Sequence, residues 1–270
     1  MSRTKKREGA SSPVKKYLSF SGSTGKLKYY NKEHKDADEK GNVSIDRLDL
    51  VLVDIKSSIS GYNENASSGI NSNLLDPYKV GEQEFIVKTK VDGKYGVFAQ
   101  GIYKDIKADL ATINAKFTTN LFAIADFGEG YELVKLEING SGLSPWIDIT
   151  KDLKDDEIYD KVITVEKGEL LTRKGGKTVK VTKKEYDAVL KKIKADPMYQ
   201  RPVWFYAPKF TLTDLNDEKV VEVAIEKDEV LQTYFDGIGG GEKEATKEVS
   251  EEEVVEDVPV AGGLDDDLPF

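Results

Sequence analysis

Apolar and polar positions alternate over short runs along most of the chain, and only a few stretches carry helical spacing. Leu48, Leu50 and Leu52 alternate with Asp49, Val51 and Val53, the pattern of a buried strand. Residues 85–91 and 94–98 flank Asp92-Gly93, a two-residue hairpin signal. A second hairpin is predicted for 117–125 and 131–138 across Gly128-Glu129-Gly130, with Val134, Leu136 and Ile138 alternating with Lys135 and Glu137. A third joins 161–173 to 177–182 across Gly175-Gly176, and a shorter one turns at 21–25. Residues 203–212 are aromatic-rich and strand-like.

Helical spacing appears at Ile102, Ile106, Leu110 and Ile113. Thr182 and Glu185 form a capping box for a helix bearing Tyr186, Val189, Leu190 and Ile193, which stops at Asp196-Pro197. A short turn-helix segment runs through Pro145 and Trp146. Val221, Val223 and Ile225 alternate like a strand, while Leu231, Tyr234 and Phe235 suggest a closing helix. The Ser-, Asn- and Gly-rich residues 57–73 predict a long loop. Hairpins interrupted by single helices argue for a mainly β, α+β chain built as an antiparallel barrel with helical insertions.

Charge changes the picture only when it is divided along the chain. The net charge is -9 over 270 residues. Residues 237–270 hold eleven acids against Lys243 and Lys247, so the whole excess lies there and the preceding body is neutral. Within that body, residues 1–35 carry ten bases and two acids, and residues 167–209 carry twelve bases and four acids. Two basic segments and an acidic tail are the charge features that speak about partners.

Composition removes much chemistry. No cysteine means no thiolate catalysis and no cysteine-bound zinc, and the single His34 rules out multi-histidine metal sites. His34 lies in a run of charged residues, where a solvated loop histidine is expected and an ordered general base is not. Gly25-Lys26 and Gly176-Lys177-Thr178 fail the phosphate-loop pattern, since Phe20 and Leu171 stand where the first glycine belongs. Asp155, Asp156, Glu157 and Asp160 read as a solvated acidic face; the competing reading is a magnesium nuclease. The expectation is a non-enzymatic protein with no metal and no cofactor. No apolar run reaches transmembrane length and the basic start lacks a signal-peptide core, so an intracellular, membrane-free protein is expected.

Aromatic and basic residues interleave in two places. Lys16, Tyr17, Phe20, Lys26, Lys28, Tyr29 and Tyr30 form the first; Arg201, Trp204, Tyr206 and Lys209 form the second, with Lys174, Lys177 and Lys180 at the tip of the preceding hairpin. A single strand of nucleic acid presents charged phosphates and bare base faces, so a binder needs cations and stacking rings together. These fourteen residues are the candidate DNA contacts, although strand alternation sends some of the rings into the core.

The tail closes on Asp265-Asp266-Asp267-Leu268-Pro269-Phe270. Solvating charge alone does not account for its Leu-Pro-Phe. An apolar end beside carboxylates suits a pocket rimmed by Arg or Lys. The six residues resemble the tip of bacterial single-stranded DNA-binding proteins, with Leu268 where that family usually has Ile. The body is longer than a single OB domain and the linker is short and acidic, so the chain looks more like phage-encoded single-stranded DNA-binding proteins. Tyr17-Leu18-Ser19-Phe20-Ser21 through Lys26-Leu27-Lys28-Tyr29-Tyr30 is similar to openings in that group.

The resemblance implies an OB-fold-like barrel over 15–236. A disordered basic arm (1–14) would precede it, with a flexible acidic linker (237–263) and a partner-docking tip (264–270) after it. The partners implied are single-stranded DNA and replication or recombination proteins such as a polymerase, helicase or primase, in the cytoplasm of a bacterial host. The competing expectation is a replisome or virion interaction module that does not bind DNA.

Overall fold

A computed structural model of the chain describes residues 11–154, 156–196, 198–200 and 202–239. Its hub is β4 (Arg47–Asn63), long enough to serve three neighbours. The start of β4 pairs with β10 (Lys161–Lys174), its middle with β8 (Lys116–Asp126), and its last residues with β5 (Ser68–Ser72), all antiparallel. β8 continues to β9 (Tyr131–Asn139) across the expected hairpin. β9 pairs in parallel with β1 (Lys16–Ser21), which leads to β2 (Lys26–Tyr30) and β3 (Asn42–Ile45). Beyond β5 come β6 (Phe85–Val91) and β7 (Lys94–Gly101). On the opposite flank β10 carries β12 (Trp204–Asp214) and, at its tip, β11 (Lys177–Lys180).

The chain is therefore mainly β with inserted helices, as its patterning predicts. The expected antiparallel barrel is corrected: the sheet is mixed, because β1 lies parallel to β9, and it does not close. Its two flanks approach at one place, where the Tyr206 N–H donates to the Gly22 carbonyl at 2.7 Å. No ladder follows from that bond among the described residues. The reason is local. The turn after β1 uses the Ser21 carbonyl for its own Thr24 and Gly25 N–H groups, and Pro208 of β12 has no N–H to offer.

Three apolar clusters hold the sheet. The largest fills its inner face with Leu18, Leu27, Leu50, Leu121, Leu136 and Ile163, roofed by Leu143 and Trp146 of α2 (Leu143–Thr150). The outer face of β4 and β8 is covered by α4 (Glu218–Gly239). A satellite cluster around Phe85 lies under α1 (Tyr103–Thr112). The capped helix α3 (Lys183–Ala195) has both arms of its box formed, Thr182 to the Glu185 N–H and Glu185 back to the Thr182 N–H.

Two expectations fail for identifiable reasons. The run at 221–225 is helical: Val220 and Leu231 are buried, with Val223, Ala224 and Phe235 beside them, a stripe of helical spacing on the outer sheet face. Asp217 caps that helix by accepting from the Lys219 N–H at 3.0 Å. The loop expected at 57–73 is mostly strand, with β4 reaching Asn63 and β5 following. Its polar side chains are satisfied across the sheet: Asn120 donates to Ser58 Oγ at 2.9 Å and to the Lys56 carbonyl at 3.1 Å, and Ser60 bonds Thr118 at 2.7 Å. Among the described residues no helix is long and apolar enough to cross a membrane.

Candidate nucleic-acid interface

Alternation in the β1–β2 hairpin sorts the first basic-aromatic segment into two faces. Leu18, Phe20, Leu27 and Tyr29 turn inward. Tyr29 is 5% exposed, stands edge-on to Phe127 at 5.5 Å, and has its hydroxyl pKa raised by burial. Phe20 is half-buried against the same core. Neither ring is placed to take a base. Tyr17, Lys26, Lys28 and Tyr30 turn outward, with Tyr17 53% and Tyr30 59% exposed. Lys28 stands between Ser19 and Ser44 on the neighbouring strands, so small side chains flank its stem. The Lys135 ammonium sits 5.2 Å from the Tyr17 ring centre and is paired with Glu137. Lys26 is paired with Asp46 at 3.0 Å. Lys16 points away from this face, over Phe127 and onto Glu132.

The second segment is built on β10, β11 and β12. Phe205 and Phe210 are buried; Trp204 and Tyr206 lie half-buried on the other side of β12. Trp204 stacks on Tyr186 of α3, with centroids 5.0 Å apart and planes at 29°. Tyr206 is capped by the Lys167 ammonium at 3.7 Å. Both rings therefore already spend one face inside the protein. A bulge between Lys167 and Leu170 lets β12 pass very close to Gly168, where an added Cβ would stand 2.6 Å from the Ala207 carbonyl.

Most lysines of this segment are tied by exposed ion pairs: Lys174 to Glu185 at 2.5 Å, Lys180 to Glu169, and Lys209 to Glu166 at 2.6 Å. Such pairs contribute little to stability and exchange readily for another anion. Lys177 is exposed at the hairpin tip. Arg201 lies outside the described residues, as do Asp265, Asp266, Asp267, Leu268, Pro269 and Phe270.

Among the described residues the two segments meet around Gly22, which receives the Tyr206 N–H, and Gly25, which Lys167 overlies. They form two adjoining patches. Tyr17 and Tyr30 stand at the far end of the hairpin from that junction.

Two larger concavities complete the surface. A groove of about 1120 Å³ beside the N-terminus of α4 is lined by Asp49, Asp126, Asp217 and Glu218 against Arg47 and Lys219, the wrong sign for phosphates. A cleft of about 1020 Å³ between β4, α1, α2 and the 3-10 turn Glu157–Asp160 has the opposite balance, with Lys56, Lys104, Lys107, Lys151 and Lys154 against Asp54 and Asp76. Sequence patterning misses this cleft. Its one legible signal is Lys104 and Lys107, three apart on the polar side of a helix. Among the described residues no group of three or more Asp, Glu or His could hold a metal. His34 sits in a turn, edge-on to Tyr29.

Glu185 couples the hairpin tip to α3 and has a testable pH signature. The Lys174 ammonium first, then the Thr182 N–H, lower its pKa from 4.5 to about 2. Stabilisation from this carboxylate is complete above the unfolded-state value and fades as pH falls toward 2. The side-chain carboxyl resonance of Glu185 should titrate near pH 2, and Lys174→Ala should move it back up; titration near 4.5 in the wild type would contradict the contact.

Comparison of the chain with protein-family models, with curated proteins and with solved structures gives no match.

Proposed function

We propose that this is a single-stranded DNA-binding protein, phage-encoded, that coats strands during replication and recombination in a bacterial cytoplasm. The observation that carries the reading is the uncovered sheet face of β1, β2 and β3. Tyr17 and Tyr30 are exposed there at the open end of the hairpin, and Lys28 and then Lys26 follow on the same face toward the turn. Two half-exposed tyrosines side by side on a strand surface, with lysines next along it, suit stacking on bases with phosphates neutralised alongside. The curved sheet is read as an elaborated, open relative of the OB barrel. The exchangeable lysines at the β10–β11 tip supply a second, adjoining patch. The acidic segment 242–270 competes for the same cations when DNA is absent. When DNA displaces it, the 264–270 tip recruits a polymerase, helicase or primase.

The test is direct. Tyr17→Ala and Tyr30→Ala should each weaken binding of an unstructured oligonucleotide by about 1–3 kcal/mol. Thermal stability should hardly change, because both rings are exposed. Two stably folded variants with wild-type affinity would remove this face from the interface.

A further inference from the structure

The cleft between α1 and α2 belongs to neither basic-aromatic segment, yet it combines the same two chemistries in concave form. Its wall carries Tyr103 and Phe117, edge-to-face at 5.2 Å, and Trp146, which stands against Phe210 at 5.5 Å. Tyr78 is 69% exposed at the mouth. Tyr159 lines the cleft with a hydroxyl whose pKa burial lifts to about 12, so it stays a hydrogen-bond donor throughout the physiological range. At about 1020 Å³ the cleft matches the upper end of pockets that enclose organic ligands, roughly 300–1,000 Å³.

Charge decides which ligand fits. Asp54 is engaged by Lys56 at 2.8 Å, and Asp76 is engaged in capping by the Tyr78 N–H at 3.0 Å. Lys151 is shared with Asp148 at 3.6 Å. The Lys104, Lys107 and Lys154 ammonium groups make no ion pair among the described residues, while the Lys154 backbone N–H donates to the Glu157 carboxylate at 3.3 Å. The cleft thus keeps an excess of positive charge at its rim and aromatic faces inside. That is the complement of unstacked bases on a phosphate backbone, and it repels a cationic ligand.

We propose that the α1–α2 cleft holds a segment of single-stranded DNA, bases against the partly buried Tyr103 and Phe117, with buried Trp146 in the same wall as a reporter, and phosphates along Lys104, Lys107 and Lys154. This rests on the single-strand reading above, and it adds a third contact region to the open sheet face and the β10–β11 tip.

The chain has two tryptophans, Trp146 and Trp204, so Trp204→Phe leaves Trp146 as the sole indole reporter of the cleft. Titrating this full-length variant with an oligothymidylate should quench Trp146 emission saturably. Lys104→Glu with Lys107→Glu, both exposed on α1, should lower affinity about tenfold and reduce the single-strand salt slope by about 1.4. Lys219→Glu, bordering the acid-rich groove, should leave affinity near wild type. Wild-type binding with silent Trp146 and an unaffected double variant would overturn the cleft while sparing the general reading. Failure of the wild type to bind would overturn both. If deletion of 242–270 shifts Trp146 emission and the oligonucleotide does not, the cleft is the seat of the acidic segment and the proposal is wrong.

Discussion

Deleting residues 242–270 should raise affinity for single-stranded DNA about tenfold at low ionic strength, with the gain fading as salt rises. The segment carries eleven acids and two lysines, all of the chain's net -9, and the body it is joined to is neutral overall. The body's positive charge is local, in the segments that hold Lys26 and Lys28 or Lys174, Lys177 and Lys180. A tethered polyanion raises the local concentration of competing carboxylates around those lysines. Deleting Phe270 alone removes an apolar side chain and no charged one. DNA affinity should then stay as in the full chain, while capture of replication enzymes is lost. Equal low-salt affinity with and without 242–270 would contradict the competition.

Phe85→Ala should destabilise the fold by about 3–5 kcal/mol. Phe85 is fully buried at the centre of the cluster beneath α1, and it meets Phe117 edge-to-face at 6.2 Å. Phe117 in turn lines the cleft, so the cavity left at 85 loosens the wall that would hold a base. Urea denaturation reads the loss as a lower midpoint. A loss under about 1 kcal/mol would mean that the β6–β7 unit relaxes freely and does not support α1.

The hairpins were legible because their turns demand particular residues. Asp92 and Gly93 both take positive φ, 50° and 81°, which is what Asp-Gly between strands announces. The capping box of α3 was legible for the same reason, since two side chains name one helix start. The 57–63 half of β4 was hidden because its stabilisation is polar: Ser58, Ser60, Thr118 and Asn120 bond across the sheet, and hydropathy carries no trace of that. Val221, Val223 and Ile225 imitated a strand, yet Val221 and Ile225 point to solvent and only Val223 packs.

In the candidate site, Leu27 fixes the phase of β2, so its alternation separates buried Tyr29 from exposed Tyr30. Parallel pairing of β1 with β9 has no local signature and could not be read. The cleft was invisible for another reason. Its lysines come from three separate stretches, and local acids such as Asp105, Asp109, Asp148 and Asp152 cancel them in any running charge sum. Only folding brings the excess together.

The central claim is tested most directly by fluorescence anisotropy of the full-length protein with one labelled oligonucleotide, single-stranded and as duplex, across a salt series. The account predicts preference for the single strand at every salt, and a log–log slope near -0.7 for each phosphate contacted. Weak binding that ignores salt, or equal binding to duplex and single strand, would contradict it.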